Sequence, residues 1–189
     1  QVSGDRYVLN GALSSLTIPT TIHDSLLARL NRLGAAKETA QLGAALGREF
    51  SHELLAAVSP LGQAELAGTL TQIIDAGLLF RRGSPPDVTY SFKHALVRDA
   101  AYAGLLKTRR QQIHAEIAQA LRDKFPERIA AAPELLAHHY GEAGLTELAV
   151  QCWERAGARG LERSANIEAV AYFRAGLALL EGLPEGVRS

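Results

Sequence analysis

The segment LLFRRGSPPDVTYSF, residues 78–92, decides the fold class of this 189-residue chain. Its centre, residues 83–87, consists of glycine, serine, two prolines and aspartate, which are the residues that turns favour. After this turn, Val88, Tyr90 and Phe92 alternate with polar residues, as in a strand that buries one face. The segment therefore predicts a β-hairpin.

The sequence before the hairpin has the period of amphipathic helices. We expect Ser51 to cap a short third helix and Gly47 to end the second helix in a left-handed conformation. Helices followed by one two-stranded hairpin have the order of a winged helix, with the hairpin as the wing. We therefore predict a winged-helix-like domain over residues 18–110. Its first helix is expected to start after the cap candidates Thr20 and Thr21 and to end at Gly34, and the other helices are expected at residues 35–46, 52–59, 63–76 and 93–107.

Residues 111–189 are expected to be helical almost throughout, with breaks at Pro126 and Pro133. Two stretches repeat a triplet that is similar to the second helix of a tetratricopeptide (TPR) repeat, although the copies are not separated by the repeat length of about 34 residues. We expect an incomplete region of irregular, TPR-like helical hairpins; a plain bundle with aromatic core residues is the alternative. The fold class is mainly α. The triplets are Ala149, Trp153, Ala156 and Ala169, Phe173, Gly176.

The composition is that of a globular protein without a dominant charge. Twenty lysines and arginines balance twenty aspartates and glutamates, so no overall field attracts nucleic acid or an anionic membrane. The single Cys152 suits a reducing compartment, and we expect a cytoplasmic protein. No apolar run approaches the roughly 20 residues of a membrane span. Because the sequence contains no methionine, even at position 1, we interpret it as a piece of a longer protein.

The composition of the helix expected at residues 63–76 argues against DNA binding, although this helix occupies the recognition position of a winged helix. It contains no lysine or arginine, and Glu65 and Asp75 would oppose phosphates. The basic residues lie elsewhere, and we expect them to be solvated; a contact with an acidic surface or a nucleotide phosphate of a neighbouring domain is the alternative. These residues are Arg81, Arg82, Lys107, Arg109 and Arg110.

The six histidines do not predict a metal site. His138 and His139 are adjacent, and adjacent helical side chains point about 100° apart. His139 is expected to be half-buried against a backbone carbonyl. No phosphate-binding loop and no serine nucleophile motif occur in the sequence, so the chain is not expected to be an enzyme by itself.

The sequence YSFKHALVRDAAY, residues 90–102, resembles the end of the winged-helix domain in the STAND class of signal-transduction ATPases. Residues 18–22, 25–26, 29–30 and 43–50 resemble the matching region of bacterial predicted ATPases, many of which carry a class III adenylate or guanylate cyclase domain, and residues 133–140 resemble their first repeat helices. The resemblance implies that residues 1–17 are a linker from an upstream ATPase core. It also implies the winged-helix-like domain at 18–110 and the helical repeats at 111–189.

In that class, the winged-helix domain folds over ADP, and the histidine of a Met-His-Asp motif contacts the β-phosphate. The histidine position corresponds to His94, while Lys93 and Ala95 replace the methionine and aspartate. The resemblance thus implies that His94, with Lys93, contacts the phosphate of ATP or ADP bound by the parent protein, this chain itself holding no cofactor. The alternative is that His94 only caps and packs the corner between the wing and the next helix.

Taken together, the resemblance implies a non-catalytic regulatory and interaction segment. Its expected partners are the upstream NTPase domain of the same protein and a protein or small-molecule signal on the helical repeats, without nucleic acid or membrane. Two alternatives stay open, a DNA-binding transcription regulator and a free-standing repeat scaffold.

Overall fold

Residues 22–182 are described by a computed structural model, and most of them are helical. The predicted cap residues Thr20 and Thr21 lie outside this range. The first part of the chain contains five helices and three short strands within the described residues: α1 (Ile22–Arg32), α2 (Ala36–Leu46), β1 (Glu49–Ser51), α3 (His52–Val58), α4 (Gln63–Asp75), β2 (Leu79–Arg82), β3 (Thr89–Phe92) and α5 (Ala95–Ala103).

The predicted hairpin is confirmed, and the sheet has a third strand that the sequence reasoning missed. Strand β3 is central, pairing antiparallel with β2 and with β1. Phe50 of β1 lies opposite Tyr90, and their rings stack with centroids 5.8 Å apart. With three residues and one apolar side chain, β1 is too short to show an alternating pattern. These three residues form a strand because they pair with β3.

Local interactions explain the conformation at Gly47, where α2 ends, and at Ser51, where α3 begins. The Ser51 hydroxyl accepts a hydrogen bond from the Leu54 N–H at 3.2 Å, which confirms the predicted cap. Gly47 has φ +138° and ψ −168°, so the predicted left-handed conformation is wrong. The backbone at Gly47 has positive φ but extended ψ, a region that only glycine occupies readily, and it directs the chain into β1.

The helix predicted at residues 93–107 is observed over the shorter range Ala95–Ala103. Helix α5 ends at Ala103, and a turn at residues 104–106 leads into α6 (Lys107–Lys124). The Arg110 guanidinium donates hydrogen bonds to the carbonyls of Leu105 and Ala103, at 3.0 and 3.1 Å. A cation in the first turn of α6 therefore satisfies carbonyls at the end of α5, which stabilises the turn.

The second part of the chain is helical, as predicted, and both prolines start helices. Pro126 and Pro133 occupy the first turns of their helices, where proline costs no hydrogen bond. None of the helices described between residues 22 and 182 is long and apolar enough to span a membrane. These helices are α7 (Pro126–Ala131), α8 (Pro133–Glu142), α9 (Thr146–Glu162) and α10 (Asn166–Glu181).

Helix α6 packs on both parts of the chain. It contacts α2 and α3 on one side and α8 on the other, and α8 packs on α9, which packs on α10. The predicted domain boundary at residues 110/111 falls inside this continuous helix. The division of the chain into two domains stays a prediction.

Small residues let α9 and α10 approach closely. A β-carbon added at Gly157 would lie 2.5 Å from the Phe173 ring, and one at Gly176 would lie 3.3 Å from the Trp153 β-carbon. Each aromatic residue of the two triplets therefore packs against a glycine of the other helix. The triplets face each other within one hairpin, which differs from the tetratricopeptide pattern of successive repeats.

Gly160 provides a test of this close packing. A β-carbon there would lie 3.0 Å from the Ala169 β-carbon and 3.2 Å from its backbone atoms. Because backbone cannot rotate away, Gly160→Val should lower the free energy of unfolding by about 1–3 kcal/mol in chemical denaturation. Valine at Gly68 is the matched control, since nothing lies within 4 Å of its β-carbon position. An equal effect of the two substitutions would contradict this packing.

Candidate functional site

Three histidines meet where α6 packs on α8, and we call them the histidine cluster: His114 from α6, with His138 and His139 from α8. His114 and His139 are only 1% and 5% exposed, whereas His138 is exposed. One ring nitrogen from each residue lies within 4.8 Å of the other two. Buried imidazoles are rare without partners, so the hydrogen bonds of the cluster define what it can do.

The hydrogen bonds of the cluster run in one direction. The Tyr102 hydroxyl, from the last turn of α5, donates to a carboxylate oxygen of Glu142 at 3.0 Å. Having one proton, it must accept from His114 Nε2, which lies 2.9 Å away. His114 Nδ1 is then an acceptor, and His139 Nδ1, at 2.8 Å, donates to it. This assignment satisfies every contact with neutral histidines.

Burial keeps these histidines neutral. Desolvation lowers the pKa of His114 to about 4, although the Glu142 carboxylate opposes this shift. Desolvation, followed by repulsion from His114 and His138, lowers the pKa of His139 to about 3. Desolvation and the hydrogen bond to Glu142 raise the pKa of Tyr102 to about 12. Near pH 7, both buried imidazoles therefore carry a free electron pair.

The sequence reasoning on His139 was wrong, because its partner is the imidazole of His114 where a backbone carbonyl was expected, and its side chain is buried where half-burial was expected. The ring centroids of His138 and His139 are 5.2 Å apart, and the His114 ring lies 5.8 and 5.0 Å from them. The available signal was the position of His114: it follows Ile113 and precedes Ile117 by three residues, on the apolar side of α6.

His94 and Lys93 lie at the surface where the wing meets α5. His94 is the exposed N-cap residue of α5, and its side chain makes no capping hydrogen bond. The Lys93 ammonium lies 4.7 Å above the centre of the Phe80 ring, and the Lys93 N–H donates to the Leu78 carbonyl. The nine-residue α5 thus carries His94 at its start and Tyr102 near its end, about 12 Å apart along the axis.

The arginines that the sequence analysis singled out lie in three different settings. Arg81 and Arg82 are exposed on β2. Arg109 lies 3.8 Å from the Glu116 carboxylate, and both side chains are about half exposed. Arg110 stacks over the Tyr102 ring at 4.8 Å, so it also borders the histidine cluster.

A cleft of about 820 Å³ opens between α2, α3 and α6. Acidic side chains outnumber basic ones on its walls. This excess of negative charge does not suit a nucleic-acid backbone. The charged lining residues are Glu38, Glu65, Arg109, Glu116, Asp123 and Lys124.

Comparison with known proteins gives a distant relative among the curated proteins. A search of protein-family models finds no match. No solved structure matches the chain. An uncharacterized protein of Rhizobium meliloti is 32% identical over 161 residues. The match covers 85% of this chain but only 16% of that protein, so the chain corresponds to a small part of its relative.

The buried histidines predict a specific dependence of stability on pH. Their pKa values are lowered on folding, so the unfolded chain binds more protons between about pH 6.5 and pH 4. The free energy of unfolding should therefore fall on acidification, by about 1.4 kcal/mol per pH unit for each histidine. Urea denaturation in the presence of a chelator, repeated from pH 7 to pH 4, measures this slope.

Substitution separates the histidines from other titrating groups. His139→Gln removes one of the two titrations and should reduce the slope, whereas His52→Gln, which changes a histidine outside the cluster, should preserve it. The same slope in His139→Gln and in the unchanged protein would show that the pair is not responsible.

Proposed function

We propose that this chain is a non-catalytic regulatory and interaction segment of a larger signalling ATPase of the STAND class. In this role, residues 22–110 respond to the nucleotide bound by a preceding ATPase domain, and the following helices present a surface to a partner. The proposal is supported by the sequence resemblance and by a relative of which the chain covers 16%. An adenylate or guanylate cyclase is one output domain that suits such a parent protein.

The observation that carries the proposal is that the two ends of α5 lie at different sites. Its first turn presents His94 at the surface, and Tyr102 in its last turn contacts both His114 of α6 and Glu142 of α8. A helix of nine residues moves as a rigid body, so a displacement of its first turn shifts Tyr102 as well. Movement at one end of α5 is thereby transmitted to the packing of α6 on α8.

The start of α5 has the chemistry to face an anion. His94 is exposed, and the first turn has no side-chain acceptor for its backbone N–H groups. An N-terminal helix end attracts phosphate through these N–H groups and through the helix dipole. The neighbouring Lys93 ammonium adds a positive charge. We therefore assign the proposed contact with the nucleotide phosphate to His94 and Lys93.

The last described helix, α10, offers a surface for a signal. Ile167 is 86% exposed, and further apolar side chains of the same helix are exposed. Exposed apolar groups of this kind favour contact with another protein or with an apolar ligand. These further residues are Val170, Leu177 and Leu180.

The nucleotide contact can be tested in the full-length protein that contains this chain. His94→Ala removes a charge-assisted hydrogen bond, so ADP release should accelerate about tenfold or more and basal activity should rise. Stopped-flow measurement with a fluorescent ADP analogue gives the rate. Leu96→Ala is the matched control, because it truncates another exposed side chain of the same helix turn. An unchanged rate of ADP release in His94→Ala would remove this role.

A second measurement tests the DNA-binding alternative. Helix α4 has no basic residue, and Glu65 near its start is exposed. The chain should therefore show no salt-dependent affinity for duplex DNA in fluorescence anisotropy at roughly 50 and 200 mM salt. Tight binding that weakens steeply with salt would contradict the proposed function.

A further inference from the structure

We propose that His114, His138 and His139 form a binding site for Zn²⁺ or a chemically similar divalent transition-metal ion. Such an ion joins α6 to α8 through side chains at the junction of the two parts of the chain. This inference goes beyond the proposed function, and it depends on side-chain geometry and not on the identity of the parent protein.

The ring nitrogens are close to the spacing that a metal requires. Zn–N bonds of about 2.0–2.1 Å in a tetrahedral site place ligand nitrogens about 3.4 Å apart. His114 Nδ1 and His139 Nδ1 are 2.8 Å apart, and one ring nitrogen from each of the three histidines lies within 4.8 Å of the other two. To reach the metal spacing, the first pair separates slightly and His138 moves inward.

His114 is already oriented as a metal ligand. Metal-bound histidines usually hold their second ring nitrogen in a hydrogen bond, which fixes the ring and its tautomer. Here His114 Nε2 is held by the Tyr102 hydroxyl at 2.9 Å, and that hydroxyl is held by Glu142 at 3.0 Å. This arrangement leaves His114 Nδ1 facing His139 Nδ1, at 2.8 Å. A carboxylate, a hydroxyl and an imidazole in series thus support the site from behind.

Binding of the ion leaves the number of protons on the histidines unchanged. His139 transfers its Nδ1 proton to solvent and takes one up at Nε2, so that it stays neutral while its Nδ1 electron pair becomes available. In the tautomer that the hydrogen bonds assign, His114 Nδ1 is unprotonated, and its electron pair becomes available once His139 Nδ1 has lost its proton. The hydrogen bond between the two nitrogens is replaced by two metal–nitrogen bonds. No oxidation or net protonation change of the protein is required.

The ligand set indicates the class of ion. Three imidazoles without a carboxylate in the ligand set favour Zn²⁺, Ni²⁺ or Cu²⁺ over Mg²⁺ and Ca²⁺, which prefer oxygen. Because His138 is exposed, the ion is accessible from solvent, and water fills the fourth position.

The test titrates the intact chain, freed of metal by a chelator, with ZnCl₂ in an isothermal calorimeter. We expect one ion per chain and a higher melting temperature in the presence of Zn²⁺. His138→Ala removes an exposed ligand without disturbing the core, and it should weaken binding at least tenfold. His52→Gln is the matched control and should leave binding unchanged. MgCl₂ should give neither heat of binding nor a change in melting temperature.

Two further measurements examine the geometry. Co²⁺ bound in place of Zn²⁺ should give the strong visible absorption of a four-coordinate ion, and His138→Ala should lose it. Tyr102→Phe, which keeps the ring and removes the support of His114, should weaken Zn²⁺ binding about tenfold. Equal Zn²⁺ affinity of His138→Ala and the unchanged protein, or the weak absorption of a six-coordinate Co²⁺ ion, would overturn the proposal.

Discussion

The packing of α6 between the two parts of the chain is the constraint on which the rest of the structure depends. Ile113, Ile117 and Leu121 are almost completely buried along this helix, so both parts must cover it. His114 lies on the same buried side, and a polar ring in such a place requires partners. Tyr102 supplies one from α5 and His139 supplies the other from α8. The relative placement of three helices is therefore specified by hydrogen bonds as well as by apolar packing.

Most of the fold could be predicted from the sequence where a signal was local. Ser51 was recognised as a cap because its hydroxyl needs only the N–H three residues later, and the hairpin was recognised from its turn and alternation. Strand β1 could not be recognised, because its three residues become a strand only by pairing with β3. The end of α5 was missed for a similar reason. Arg110 stabilises the turn from the next helix, and a local pattern does not contain this contact.

The candidate site was also missed because it depends on contacts between residues that are distant in the sequence. The spacing of His138 and His139 argued correctly that two adjacent residues on a helix do not form a site by themselves. The third histidine lies 24 residues before His138 in the sequence, and only the packing of α6 on α8 brings it near. Conversely, His94 was selected by resemblance, and the structure places it at an exposed helix start. Surface residues can be nominated from a motif, whereas a buried cluster requires the tertiary fold.

The serial stacking of the last helices has a consequence for cooperativity. Helix α8 packs on α6, α9 packs on α8, and α10 packs on α9, with glycines at the α9–α10 contact. Each of these helices packs mainly on its neighbours, so α10 can open before α9 and α8, whose buried residues belong to the main hydrophobic core. We therefore expect amide hydrogen exchange to be faster in α10, which buries few residues, than in α6, which buries six. Opening of α10 would leave the contacts of α6 with α2, α3 and α8 in place.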